Sequence, residues 1–526
     1  MLFLKNSILL TFILLLTIQL TAQDVTWMPK NKLSKKDDIT GITILGAADG
    51  EVAVMSEKYL GLLNAESLQL IKEYKEDMTG HPPMYLDGKW SIIALDSKKN
   101  GPTCLTYRDL KAASATAKEL VCLDPNEKEG TKKMLKAEFK KNGVLSMPQL
   151  INSQNRKWYV YPSTNYIDKT VDHYVFNDKL ELVYKKKVAY LQKINNRTVN
   201  LNYANVNISN EGNIVYYGHR KVAKDNKFQG MVLTYHHKED KITSFVSKST
   251  KNKVFSPAKK WVPGITNINK MGEQHSGSTI ASLMGDAIVY AGIYKDAKGK
   301  DQGIFYDRFD LKTNTFSGMQ EIIFSEDILT KINNGKKKSK IKGEVAIANL
   351  QLKANGDFTV LFEIDNSQAN VHSNTTFGDN YGFGSTEESL VVDLDSRDIL
   401  YYNFNPDSKL TYSGVIKKHQ KKGMFNQTSF VAATVDNTVH VFFNSLKRGS
   451  SKIMKYSINA DGSDVKEQEV ISPPKMYLAP NRIDLAGIHF VRSMSGIGAS
   501  YHRLTKDEIL VEGLDRKRST IVKIKL

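Results

Sequence analysis

One unit recurs along this chain: a short apolar strand, a tight Gly, Asp or Asn turn, then a second alternating strand. It reads ITILGAADGEVAVM, MYLDGKWSIIAL, NVNISNEGNIVYYG, ASLMGDAIVYAG, NLQLKANGDFTVLFE, FVAATVDNTVHVFF and FVRSMSGIGASYH, with a Gly-less copy around PQLINSQNRKWYVYP. Turns such as Asp49-Gly50, Asp87-Gly88 and Asn355-Gly356 supply the positive φ that a hairpin between twisted strands requires. Each hairpin is followed by a second pair of strands, from KYLGLLN with QLIKEY to DEILVEG with STIVKIKL. Most of these segments alternate with period 2, and none carries a long helical period. A four-stranded antiparallel sheet with apolar faces, repeated down the chain, is stable only when stacked on its neighbours in a ring. The expectation is therefore an all-β chain forming a single β-propeller of about eight four-stranded antiparallel blades, or seven if the irregular second and third units merge. It should span residues 41–526.

The stretch KIMKYSINADGSDVKEQEVIS resembles the blade unit of TolB-type propellers, in which an Asn-Ala-Asp-Gly turn leads to the outer strand. More broadly, residues from about 170 onward resemble an uncharacterised family of exported proteins of Bacteroidetes type. The resemblance is carried by FTVLFEID, FGDNYGFG, LTYSGVIKKHQ and VHVFFNS, and includes Glu363, Lys417, Gln420 and Asn444. It implies export and fold and leaves activity blank.

The start of the chain fits export. Lys5 is the only charge before an apolar run from Ile8 to Leu20, and Ala22 precedes the polar QDVTW. That order is a signal peptide over residues 1–22, followed by a linker at 23–40. The apolar run is shorter than the roughly 20 residues a spanning helix needs, so no transmembrane segment is expected once the leader is removed. The mature protein is expected in the periplasm or outside the cell, as a monomer.

The formal charge is +18, and of 74 basic residues only 12 are Arg, leaving 62 Lys. Arg is the residue that reads phosphates and bases bidentately, so a specific nucleic-acid reader is not expected. Attraction to polyanions is. In a propeller whose strands are lettered A to D outward from the channel, A–B and C–D turns share one face; B–C and D–A connections share the other. Here the first class is short. The second holds a B–C insert at about 366–396, D–A connections at about 124–144, 249–277 and 325–343, and the lysine runs NNGKKKSKIKG and KKHQKKG. Binding residues concentrate on loops displayed by a rigid scaffold. The ligand-binding candidates are therefore Lys336, Lys337, Lys338, Lys340, Lys417 and Gln420, with Phe377, Tyr381 and Phe383 in the insert. The partner would be a glycan or an envelope protein.

Searches for chemistry leave little. There is no G-x-S-x-G and no H-E-x-x-H, and the adjacent His236 and His237 point to opposite faces of a strand. No metal site and no cofactor is expected. Glu363, Asp365 and Asp379 beside aromatic residues are the weak catalytic candidates, since paired carboxylates are what a glycan hydrolase uses. A carbohydrate-active enzyme, hydrolase or lyase, is therefore the alternative to a non-catalytic binding scaffold. Cys104 and Cys122 flank a predicted hairpin centred near residue 113, where they would face each other. A disulfide and two buried thiols both remain open.

Overall fold

A computed structural model describes residues 25–30, 42–48, 50–55, 59–75, 84–86, 89–97, 103–109 and 118–122. It also describes most of 151–526, apart from 255–278, 377–384, 422–428, 491–500 and shorter breaks. Several expectations lie outside these residues: the leader at 1–22, the connection at 124–144, Lys337, Lys338, Lys340, Phe377, Asp379, Tyr381 and Phe383.

The chain is an all-β propeller. Among the described residues its main sheets are eight, each of four antiparallel strands or a four-stranded core with an added short strand. Seven follow the anticipated order of hairpin plus second pair. Blade 1, for instance, runs Thr43–Ala48, Glu51–Met55, Tyr59–Asn64 and Leu70–Lys75. Period-2 alternation places one set of side chains on each face of a blade, and in blades 4 to 8 both faces are apolar because each is covered by a neighbouring blade. The largest such core lies between blades 5 and 6 and joins Val289, Ile304 and Tyr306 to Phe358, Phe362 and Tyr402. Tyr306 stacks flat on Phe404 across that seam, with ring centroids 4.0 Å apart.

The TolB-like turn is a hairpin turn of blade 7, with the Gly462 N–H donating to the Asn459 carbonyl. Gly462 has φ +70°, and a Cβ there would lie 2.4 Å from the Tyr412 ring of blade 6. Only glycine satisfies both the turn and the close approach of the neighbouring blade.

The last blade departs from expectation. DEILVEG and STIVKIKL are its second and third strands, Glu508–Asp515 and Arg518–Lys525, not its outer pair. The inner strand comes in two pieces, Met476–Leu478 and Tyr501–Arg503, laid end to end along the same edge of Glu508–Asp515. The outer strand is Val25–Trp27, in register with Val522–Ile524. Part of the segment read as a linker at 23–40 is thus the strand that closes the ring. Val25 and Met28 are buried, Met28 donating its N–H to the Ile521 carbonyl at 2.9 Å. Residues this apolar, with an unpaired sheet edge waiting, gain more from burial and ladder bonds than from remaining a tether.

One helix is described, Glu326–Ile332, in the connection from blade 5 to blade 6. The Ser325 hydroxyl caps it by accepting from the Ile328 N–H, and Ile328 is buried in the seam between the two blades. No helix among the described residues is long and apolar enough to cross a membrane.

Candidate functional site

The long B–C insert of blade 6 contains an antiparallel ribbon, Gln368–Thr376 against Ser385–Asp393. It springs from the end of strand Phe358–Asp365 and returns into strand Asp395–Phe404. After the outer strand Leu410–Ile416, the D–A connection folds back so that Gln420 and Lys421 pair with Ser396 and Asp395. Insert and connection therefore meet at one spot.

A buried polar network fills that spot. Lys418, with a fully buried side chain, forms an ion pair with Glu363. The Lys418 ammonium also donates to Ser396 Oγ and, at 2.9 Å, to Gln420 Oε1. The Glu363 carboxylate accepts from the hydroxyls of Ser396 and Ser429, both at 2.7 Å. Gln420 Oε1 takes the Ser429 N–H at 2.8 Å, and its amide donates to the Asn444 carbonyl of blade 7 at 2.9 Å. Asn444 in turn clasps the backbone of Leu478 in blade 8, donating to its carbonyl and accepting from its N–H at 2.8 Å each. Charges this deep are tolerated only when paired and hydrogen-bonded. Here three consecutive blades supply the partners.

Beside it lies a second, half-exposed group. Burial alone would push the Asp395 carboxyl up; hydrogen bonds from Arg397 and Asn366 outweigh it and hold it at about 2. The same carboxylate takes His419 Nε2 at 3.1 Å, while the His419 side chain is 62% exposed. Lys417 pairs with Asp398 at 2.6 Å and donates to the Lys331 carbonyl at the end of the helix.

Of the sequence candidates, Glu363, Gln420 and Asn444 converge in the network, and Lys417 lies next to it. A β-bulge separates Glu363 from Asp365, so one carboxylate is buried and the other exposed. Lys336 is exposed. His236 and His237 do diverge: His236 meets Thr243 Oγ1 at 2.8 Å, whereas His237 stacks on Tyr184. Cys104 and Cys122 stand directly opposite each other on adjacent antiparallel strands of blade 2. Sequence reasoning missed Lys418, Ser396, Ser429, Asp395, Arg397 and His419. The available signal was the KKHQKK run, read there as charge displayed for a ligand on a loop. Among the described residues, no group of three or more His, Cys, Asp or Glu is placed to hold a metal ion.

The connections thus sit on a rigid foot. Such a foot can display a ribbon, an imidazole and several cations at fixed positions. The buried carboxylate beneath them is fully occupied with protein donors.

No family model matches the chain, and no curated protein matches it. Among solved structures, the WD40 domain of SCAP from fission yeast is 10% identical, with 95% of this chain and 97% of that one covered, at a TM-score of 0.39. Sqt1 of Saccharomyces cerevisiae is 9% identical over 95% and 98%, at 0.38. The β-propeller domain of the Trilobed protease from Pyrococcus furiosus is 10% identical over 82% and 94%, at 0.33. The fold assignment rests on the strand order above and not on these likenesses.

Proposed function

We propose that this chain is an exported, non-catalytic β-propeller serving as a binding or interaction scaffold in the cell envelope, periplasmic or secreted. Its loop-rich face would engage a polyanionic glycan or a partner protein. The observation that carries this reading is the Glu363–Lys418 network, which roots the longest insert and the neighbouring lysine-bearing connection in the core of three blades. A glycan-cleaving role for Glu363 would require its carboxylate to reach a substrate, and that carboxylate is held by Lys418, Ser396 and Ser429.

The test is an array of glycans and polyanions probed with the mature protein, with hydrolysis products monitored in parallel. Binding to heparin is then measured at two salt concentrations. Changing Lys336, Lys337, Lys338 and Lys340 to Gln should weaken it and flatten its salt dependence. Changing Lys452 and Lys455 should matter less, because charges beyond about 10 Å are screened. Equal losses would assign the attraction to diffuse net charge and remove the loop face from the reading. Release of shortened oligosaccharides would overturn the non-catalytic part.

A further inference from the structure

On the opposite face, between the outer turns of blades 5 and 6, lies a groove of about 380 Å³, a size in the range of small-molecule sites. A break in the outer strand of blade 5 shapes it. That strand runs as Thr315–Phe316 and Gln320–Ile323, with Ser317, Gly318 and Met319 bulged out between. The fully buried Asp307 holds the bulge, its Oδ1 accepting from the N–H groups of Arg308 and Gly318 at 2.9 and 3.1 Å. Ser317 is thereby turned into the groove, where its hydroxyl meets that of Ser408.

Arg308 crosses the groove. Its Nη1 donates to the Pro406 carbonyl at 3.1 Å, and its guanidinium lies over the Phe358 ring. Its Nε is buried with no partner. Its Nη2 forms an ion pair with Asp310 Oδ2 at 3.8 Å, too long for a direct hydrogen bond, so one oxygen set beside the pair can contact both. An oxygen there must accept from the guanidinium and donate to the carboxylate. A hydroxyl does both. A phosphodiester, a sulfate or a carboxylate has no proton to donate, and Asp310 and Asp407 would repel any anion.

We propose that this groove binds a neutral sugar residue, one hydroxyl bridging Arg308 and Asp310 and the apolar face of the ring resting on Pro406. Asp407 and the rim hydroxyl of Thr313 offer further acceptors. The lining has no aromatic platform, so a single residue should bind with a Kd on the order of 1 mM. This site is independent of the loop-face reading, and its failure would leave that reading intact.

The experiment is saturation-transfer NMR on the full mature chain with maltotetraose, cellotetraose, chitotetraose and a heparin-derived tetrasaccharide. At least one neutral probe should show transfer, weakened about tenfold or more by Asp310→Asn and by Arg308→Lys. Asn at 310 can keep its turn contacts with the N–H groups of Lys312 and Thr313 while presenting a donor toward the arginine. Both variants should therefore melt near the parent temperature. Asp240→Asn, on the blade 4 turn, should leave binding unchanged. The proposal is overturned if no neutral probe transfers at about 10 mM, well above the expected Kd. It is equally overturned if Asp310→Asn leaves neutral binding intact, or if Asp310→Asn abolishes binding of the heparin fragment.

Discussion

Replacing Lys418 with Met should be among the most damaging conservative-volume changes in the molecule. The Lys418 and Glu363 side chains are 0% and 6% exposed, so solvent cannot take over for a missing partner. Without the ammonium, the Glu363 carboxylate still takes the Ser396 and Ser429 hydroxyls, but a buried charge stripped of its counter-ion costs about 3–5 kcal/mol. Glu363→Leu leaves the ammonium buried without its counter-ion, still facing Ser396 Oγ and Gln420 Oε1, and should cost a similar amount. The double variant removes both charges. What remains is the loss of one acceptor for each serine, about 1 kcal/mol apiece. Together the single changes would sum to about 6–10 kcal/mol against about 2 for the double, a coupling of about 4–8 kcal/mol. The assay is urea unfolding followed by tryptophan fluorescence, comparing midpoints at constant slope. If Lys418→Met costs under about 1 kcal/mol, or the two changes simply add, the pair is not the anchor described above.

Deleting residues 25–28 should strip two buried side chains and expose the Val522–Ile524 edge. The cost is about 4 kcal/mol or more, and an unchanged unfolding midpoint would refute ring closure by this strand. His173 is fully buried and neutral, with Tyr216 OH on Nε2 and the Lys186 carbonyl on Nδ1, and burial lowers it from 6.5 to about 4. The unfolded chain then takes up the proton first, so this contribution is whole above pH 6.5 and lost as pH falls toward 4, at about 1.4 kcal/mol per pH unit. His173→Gln should flatten that part of the acid profile, and an unaltered slope between pH 6.5 and 4 would count against it. A Cys104–Cys122 bridge predicts no labelled thiol in oxidised, denatured protein; two labelled cysteines would end the idea, and reduction should cost about 3 kcal/mol for so short a loop.

The hairpins were legible because their physics is local. A tight turn, Asp-Gly or Asn-Gly at Asp49-Gly50, Asp87-Gly88 and Asn355-Gly356, and a few alternating residues specify a pair of strands without reference to anything distant, and seven blades follow the order of hairpin plus second pair. Val25–Trp27 carried no such signal, since three residues make a strand only when an edge from the far end of the chain is waiting. The same holds for Tyr501–Arg503, whose continuation along the edge is Met476–Leu478. The site was half legible. Glu363, Gln420 and Asn444 stood out by resemblance, yet their role depends on which lysine of KKHQKK turns inward. Charge runs look alike in sequence. Lys417 and Lys418 are adjacent on opposite sides of the strand end, and the fold buries only the second. The Ser- and Thr-rich insert read as a loop because its residues are poor in strand signals, although its two arms pair over nine positions.

The closing strand also sets an order of events. Val25–Trp27 emerges from the ribosome before any blade, but its partner Val522–Ile524 comes last. Seven sheets can pair from neighbouring segments; the eighth needs both Val25–Trp27 and Val522–Ile524. Such a contact joins residue 25 to residue 524, and separations of that kind slow the final step of folding. Until that step, the last sheet keeps an open edge and the ring keeps a gap, the features by which incomplete chains associate wrongly or are recognised for degradation. Any chain cut short before residue 522 never acquires the partner. The ring therefore acts as its own proofreader: only a polypeptide that holds both Val25–Trp27 and Val522–Ile524 can lock.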